Sequence, residues 1–205
     1  MSVAGFLSRL VWRFLLALVV VYAVLVFSLR GDDPQLYAWH EVELEQEYHQ
    51  TLRSVTSFPE YLELENSLFR ELIETVYDDT PTGESFRLWR YSKGSAADPF
   101  QQAVNWNRSF ELEVDSPRGS VLLLHGMSDS PYSLRQLGQS LQGSGYRVLG
   151  LRLPGHGTAP SGLTSVSWQD MSAAVELAMR HLQEQLPGQP PGRCHWCRCR
   201  CEMGH

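Results

Sequence analysis

The sequence predicts an α/β fold: parallel strands joined by crossover helices, preceded by a transmembrane helix and an acidic helical spacer. Three observations carry that expectation. "FLLALVVVYAVLVFSL", Phe14 to Leu29, is an uncharged apolar run near the start of the chain. "VLLLHG" from Val121 and "RVLGLRL" from Arg147 are short apolar runs closed by Gly or Pro, with leucines at helical spacing between them. A long amphipathic stretch follows the second run. Strand, helix, strand, helix in that order builds right-handed crossover units and a parallel sheet.

The apolar run, with "LVW" before Arg13, approaches the roughly 20 residues that span a bilayer. Residues 10–29 are expected to contact lipid. Arg9 and Arg13 precede the run and Arg30 follows it. Counting basic residues places the N-terminus in the cytoplasm and the rest on the outer, periplasmic side of the inner (cell) membrane. A cleavable signal peptide is the rival, but "LVFSLRGDDP" offers a poor small-x-small site. Residues 1–30 therefore read as a cytoplasmic stub and a single-pass anchor.

Residues 31–80 read as the spacer. "GDDP" ends the anchor helix, and "FPEYLELENSLFRELIETVY" repeats apolar residues at spacings of three and four, with Pro59 in its first turn. Thirteen of the 23 acidic residues lie between Asp32 and Asp79, opposed there only by Arg53 and Arg70. Acid at that density reads as a solvated helical face, with an acidic docking surface as the alternative. The net charge is −6, and no basic patch exists for nucleic acid.

Residues 81–188 read as a partial α/β domain. "DDTPTGES" is a turn cluster, "FRLWRY" a short strand, "KGSAADPFQQ" a loop, and "SFELEV", Ser109 to Val114, a half-buried strand with alternating pattern. "VLLLHG" suits a strand buried on both faces. Leu134, Leu137 and Leu141 mark a helix stopped by Gly143 or Gly145. Ser167 caps a last helix whose Trp168, Met171, Val175, Ala178, Leu182 and Leu186 share a face.

His125-Gly126 at the end of one strand, Ser130-Pro131 just after it, and "PGHG", Pro154 to Gly157, at the end of the next strand resemble the N-terminal part of an α/β hydrolase. The style is that of the lysophospholipase, monoacylglycerol lipase and serine aminopeptidase-like branch. The resemblance covers roughly residues 110–187. It implies acyl transfer to water from an ester or amide through an acyl-enzyme, with no cofactor. Backbone N–H groups stabilise the oxyanion in such reactions, and one donor comes from the loop after the third strand. Carried over, that donor is the N–H of Met127, with Gly126 letting the chain turn and His125 a structural loop residue. His156 is likewise structural.

The resemblance also implies a nucleophile in G-x-S-x-G, then an acid and a histidine. The chain contains no G-x-S-x-G. Its nearest string is "GMSDS", which makes Ser128 a weak candidate: Ser130 stands where Gly is needed, and the flanking motifs put this loop at the oxyanion position. His181 and Asp170 match no triad position.

The nucleophile strand is due at or after "PGQP". Residues 189–205 stand there, a non-matching tail that gathers Cys194, Cys197, Cys199 and Cys201. C-x2-C-x-C-x-C is too compressed for a usual structural zinc site, so no metal is assigned; a metal site at the four cysteines and a disulfide cluster are the alternatives. The abrupt change of composition reads as a frameshift or a truncated reading frame. The sequence thus predicts a membrane-anchored serine hydrolase-like chain, truncated before its nucleophile and inactive alone. The alternative is a membrane-tethered binding protein whose cysteine tail holds a metal or a partner.

Overall fold

The computed structural model describes residues 3–29, 35–52 and 54–185. It forms two units, one up to Leu36 and one from Tyr37 onward.

The first unit is a single helix, α1 (Val3–Leu29). Its segment Arg9–Leu29 is long and apolar enough to cross a membrane by length and composition, and it buries none of itself in protein. At 1.5 Å per residue the 21 residues reach about 31 Å, close to the thickness of a hydrocarbon core.

In the second unit, helices α2 (Ala38–Glu41) and α3 (Phe58–Leu72) precede a three-stranded sheet. Ser57 caps α3 by accepting a hydrogen bond from the Glu60 N–H, and Pro59 sits in its first turn. The helix continues as one π turn, Ile73–Tyr77. The helix expected in "FPEYLELENSLFRELIETVY" forms as α3, but residues 42–57 form turns and extended chain, apart from the undescribed Arg53. Their backbone donors find carboxylates instead of helical carbonyls. Glu45 and Gln46 N–H bind the Glu71 carboxylate at 2.7 and 2.8 Å, and Gln50 N–H binds Asp170 at 2.7 Å.

Strands β1 (Phe110–Leu112), β2 (Ser120–Leu124) and β3 (Arg147–Leu151) lie in the order β1-β3-β2. β2 and β3 are parallel, and α4 (Arg135–Gly143) lies between them in the chain. β1 runs antiparallel to β3, so the sheet is mixed and not wholly parallel as expected. Only residues 113–119 separate β1 from β2. A parallel crossover needs a dozen or more residues, so the short link reverses the chain. "FRLWRY" is not a strand either: Glu84–Phe86 is a 3-10 turn and the backbone bonds that follow close further turns.

Helices α5 (Gly162–Ser165) and α6 (Trp168–Glu184) complete the unit. Ser167 and Asp170 form a capping box at the start of α6, as the Ser167 position predicted. Leu149 and Leu151 join Phe58 and Tyr61 of α3 and Ala174, Leu177, Ala178 and Leu182 of α6 in one core. Each fully buried Leu or Phe in such a core contributes about 1.5–3 kcal/mol. On the other face the Phe110 ring fills the space above Gly150 and reaches Gly138 of α4; a Cβ on Gly150 would stand 2.3 Å from that ring. A second cluster, including Leu68, Phe69, Leu72, Val76 and Tyr91, joins α3 to the loop before β1. Tyr48, Phe58 and Tyr61 therefore pack in the core that lies against β3.

Candidate active site

The site is built at the C-terminal ends of β2 and β3, where the parallel pair opens into two loops, residues 125–130 and 152–158. His125 ties them together. Its Nε2 accepts a hydrogen bond from the Leu153 N–H at 3.1 Å, and Nδ1 lies 2.9 Å from the Gly126 carbonyl. An Nε2 that accepts leaves the proton on Nδ1, which donates to Gly126, so the ring is neutral. Burial lowers the pKa of His125, with the neighbouring His156 and Arg152 acting in the same direction. His125 is occupied as a brace and is not poised as a base.

Met127 follows. Its side chain is 71% exposed, and among the described residues its N–H donates no hydrogen bond. Such a donor at the mouth of a strand is available to a developing oxyanion. The left-handed residue of this turn is Ser128, with φ 57°, and not the Gly126 expected to let the chain turn. Gly126 itself is not left-handed, and a Cβ there would meet no atom within 4 Å. A serine in this conformation carries backbone strain and is held by its surroundings. Asp129 supplies the hold: its carboxylate accepts from the Ser130 N–H at 2.7 Å and from Ser133 Oγ at 2.6 Å. Burial pushes the Asp129 pKa up, but those two hydrogen bonds and the adjacent histidines outweigh it and the net shift is downward. Ser130 Oγ then bonds Asn107 at 2.7 Å, fixing the loop to the segment before β1.

Ser128 Oγ donates to the Met127 carbonyl at 2.7 Å and is paired with no histidine among the described residues. His156 is 2% exposed, with Nδ1 2.8 Å from the Pro154 carbonyl. His181, on α6, meets Glu111 at 2.5 Å on β1, and Asp170 caps α6. The structure brings His125, Gly126, Met127, Ser128 and His156 together, and leaves His181 and Asp170 in the scaffold. Cys194, Cys197, Cys199 and Cys201 lie outside the described residues. Among the described residues there is no cluster of three or more His, Cys, Asp or Glu able to hold a metal.

The glycines of "PGHG" are required by their neighbours. Gly155 and Gly157 have φ of 75° and 74°, and a Cβ on Gly157 would stand 2.5 Å from the Asn107 carbonyl oxygen. A cavity of about 170 Å³ lies between the two loops, lined in part by Arg90, Ser128, Asp129, His156 and Thr158.

Beneath it lies a group that sequence reasoning missed. Arg152, 1% exposed, ends β3 and binds Glu47 through two nitrogens at 2.9 and 3.1 Å. Its Nε reaches Glu65 at 3.3 Å, and Nη1 also donates to the His156 carbonyl at 3.0 Å. Glu65 accepts in addition from Ser109 N–H and Oγ. Burial favours the neutral form of Arg152, but Glu47 and Glu65 overcome it and hold the guanidinium charged. Two acids of the supposed solvated face are therefore buried, 1% and 2% exposed, and they grip the strand that carries "PGHG". The signal available in the sequence was an Arg set between the apolar residues Leu151 and Leu153 at the end of a strand, which when buried needs an acid.

Two parallel strands ending in a braced His-Gly loop and a PGHG loop define an α/β hydrolase-like site. Residues 115–194 match the serine aminopeptidase S33 family, so that segment is similar to the α/β hydrolases. The match runs to residue 194, beyond the expected boundary at 188. Over 56 residues, 27% of the chain, the sequence is 39% identical to a thermostable monoacylglycerol lipase of Bacillus sp. (strain H-257). The matched segment spans only 22% of that lipase. A solved structure from a study of LipS and LipT, two metagenome-derived lipolytic enzymes, is similar at 33% identity with a TM-score of 0.37. That likeness covers 41% of this chain and 34% of the other.

Proposed function

We propose that this chain supplies the oxyanion side of a membrane-anchored serine acyl hydrolase whose substrates are esters of the lipase type. One observation carries the reading: the Met127 N–H has no partner among the described residues, at the end of a loop fixed by His125. In the reaction a serine oxygen adds to the ester carbonyl, the carbonyl oxygen takes negative charge, and the Met127 N–H donates to it. The alcohol leaves with a proton, and water then releases the acid from the acyl-enzyme.

The nucleophile is not among the groups described. Ser128 lacks a base, and the 205 residues contain no G-x-S-x-G. β2 is an edge strand of the described sheet, and α6 packs against β2 and β3. A parallel strand following α6 would pair with the open edge of β2 and deliver a serine beside Met127. On this reading none of the described serines is the nucleophile. The segment Arg9–Leu29 anchors it with the N-terminus in the cytoplasm and the hydrolase unit outside the inner membrane. Lipase-like relatives support this reading over a tethered binding protein.

Reading the coding DNA in its two other frames past codon 189 tests the proposal. An apolar strand ending in G-x-S-x-G is expected in one of them. Its absence from both, with chromogenic ester turnover by the purified chain that Ser128→Ala abolishes, would overturn it.

A further inference from the structure

Tyr37, Trp39, Phe86 and Trp89 form an aromatic cluster that is only half-buried. Tyr37 stacks on Trp39 at 4.6 Å, and Trp89 meets Trp39, Tyr37 and Phe86 edge-on at 5.4, 4.9 and 4.7 Å. Trp39 also stacks on buried Tyr91 at 5.2 Å, which fixes the cluster to the core of its unit. Beside it in the chain, Leu88 is 70% exposed. At the surface of this loop Arg87 pairs with Glu84 and Lys93 with Asp78, while Arg90 turns inward to donate to the Gly157 carbonyl. The hydrolase chemistry uses none of these groups.

Chain length says what the cluster meets. The membrane-spanning segment ends at Leu29, and Tyr37 is only eight residues further on. Fully extended, that link reaches at most about 29 Å. Tyr and Trp, with an apolar body and a polar edge, are the side chains that settle at the level of lipid headgroups. The paired charges give no attraction to anionic lipid, so the expected occupant is a neutral, zwitterionic lipid surface.

We infer that Tyr37, Trp39, Phe86 and Trp89, with Leu88, form a platform that rests in the headgroup layer of the membrane holding the anchor, and so sets the face that the hydrolase unit turns to the bilayer. The inference rests on the proposed anchor. A site that takes lipidic esters gains from such a platform, because the unit is held at the surface where its substrate lies.

The test uses the full chain in phosphatidylcholine vesicles carrying a lipid with a nitroxide on its headgroup. The Trp89 contribution is the fluorescence difference between the chain and Trp89→Phe. Roughly twofold or greater quenching of that contribution is expected for a side chain at headgroup depth. Leu88→Asp, an exposed change, should reduce the quenching while the chain stays in the vesicles. Resistance to alkaline carbonate extraction reports the anchor separately. A chain that resists extraction but whose Trp89 contribution is unquenched overturns the platform alone, and the cluster then faces a protein partner or water. A chain that carbonate removes overturns the anchor reading and the platform with it.

Discussion

At the scale of single residues, Arg152 and His125 decide the geometry of the site. Arg152 stands between Glu47 and Glu65 at the end of β3, and all three are buried. Removing one partner of such a network leaves uncompensated charge. Arg152→Met should therefore cost about 3–5 kcal/mol, read as a lower urea midpoint of the chain in detergent. Arg152→Lys should recover only part of this, since an ammonium cannot make the two-nitrogen contact with Glu47. His125 gives a pH dependence. Its folded pKa lies below the ordinary value, because burial opposes the charged ring. The unfolded chain thus takes up a proton first as pH falls, and the His125 contribution, complete above about pH 6.5, is lost as pH drops through the folded pKa. His125→Gln should flatten that part of the stability profile between neutral and mildly acidic pH; an unchanged slope would show that other groups set it. The glycine of "PGHG" is equally specific. Gly157→Ala forces a left-handed alanine, about 1–2 kcal/mol by itself, and drives Cβ into the Asn107 carbonyl. A loss of stability greater than that of an exposed-loop Gly→Ala control is expected.

At the scale of elements, the periodic stretches were legible and the buried charges were not. α3, β2, α4, β3 and α6 announce themselves by apolar spacing and by Pro or Ser at their starts. Ser167→Ala should lower stability by about 1 kcal/mol, the usual effect of losing an N-cap, checked by the same urea titration. Residues 42–57 were not legible, because their conformation depends on carboxylates far away in sequence, Glu71 and Asp170, that accept their backbone N–H groups. "FRLWRY" is apolar and aromatic enough for a strand, yet its Trp89 meets Tyr37, Trp39 and its own Phe86 instead of a neighbouring strand. The antiparallel run of β1 follows from the length of a link, a constraint that strand patterns do not display. Of the site, His125, Gly126, Met127 and the PGHG loop could be read from two motifs. The strained backbone at Ser128 and the Arg152 clamp could not, since both are set by contacts across the fold.

At the scale of the whole molecule, the proposed reading gives the described residues one side of a catalytic apparatus. A membrane-length helix precedes a unit whose sheet ends in a braced loop; among the described residues the Met127 N–H there has no partner and β2 has an unpaired edge. The most direct measurement is labelling of the purified 205-residue chain with a fluorophosphonate probe, which reacts with activated serines, followed by mass spectrometry to place any adduct. The account predicts no adduct on any serine of this chain. An adduct on Ser128 that disappears in Ser128→Ala would contradict it, because it would make the loop assigned to the oxyanion the seat of the nucleophile.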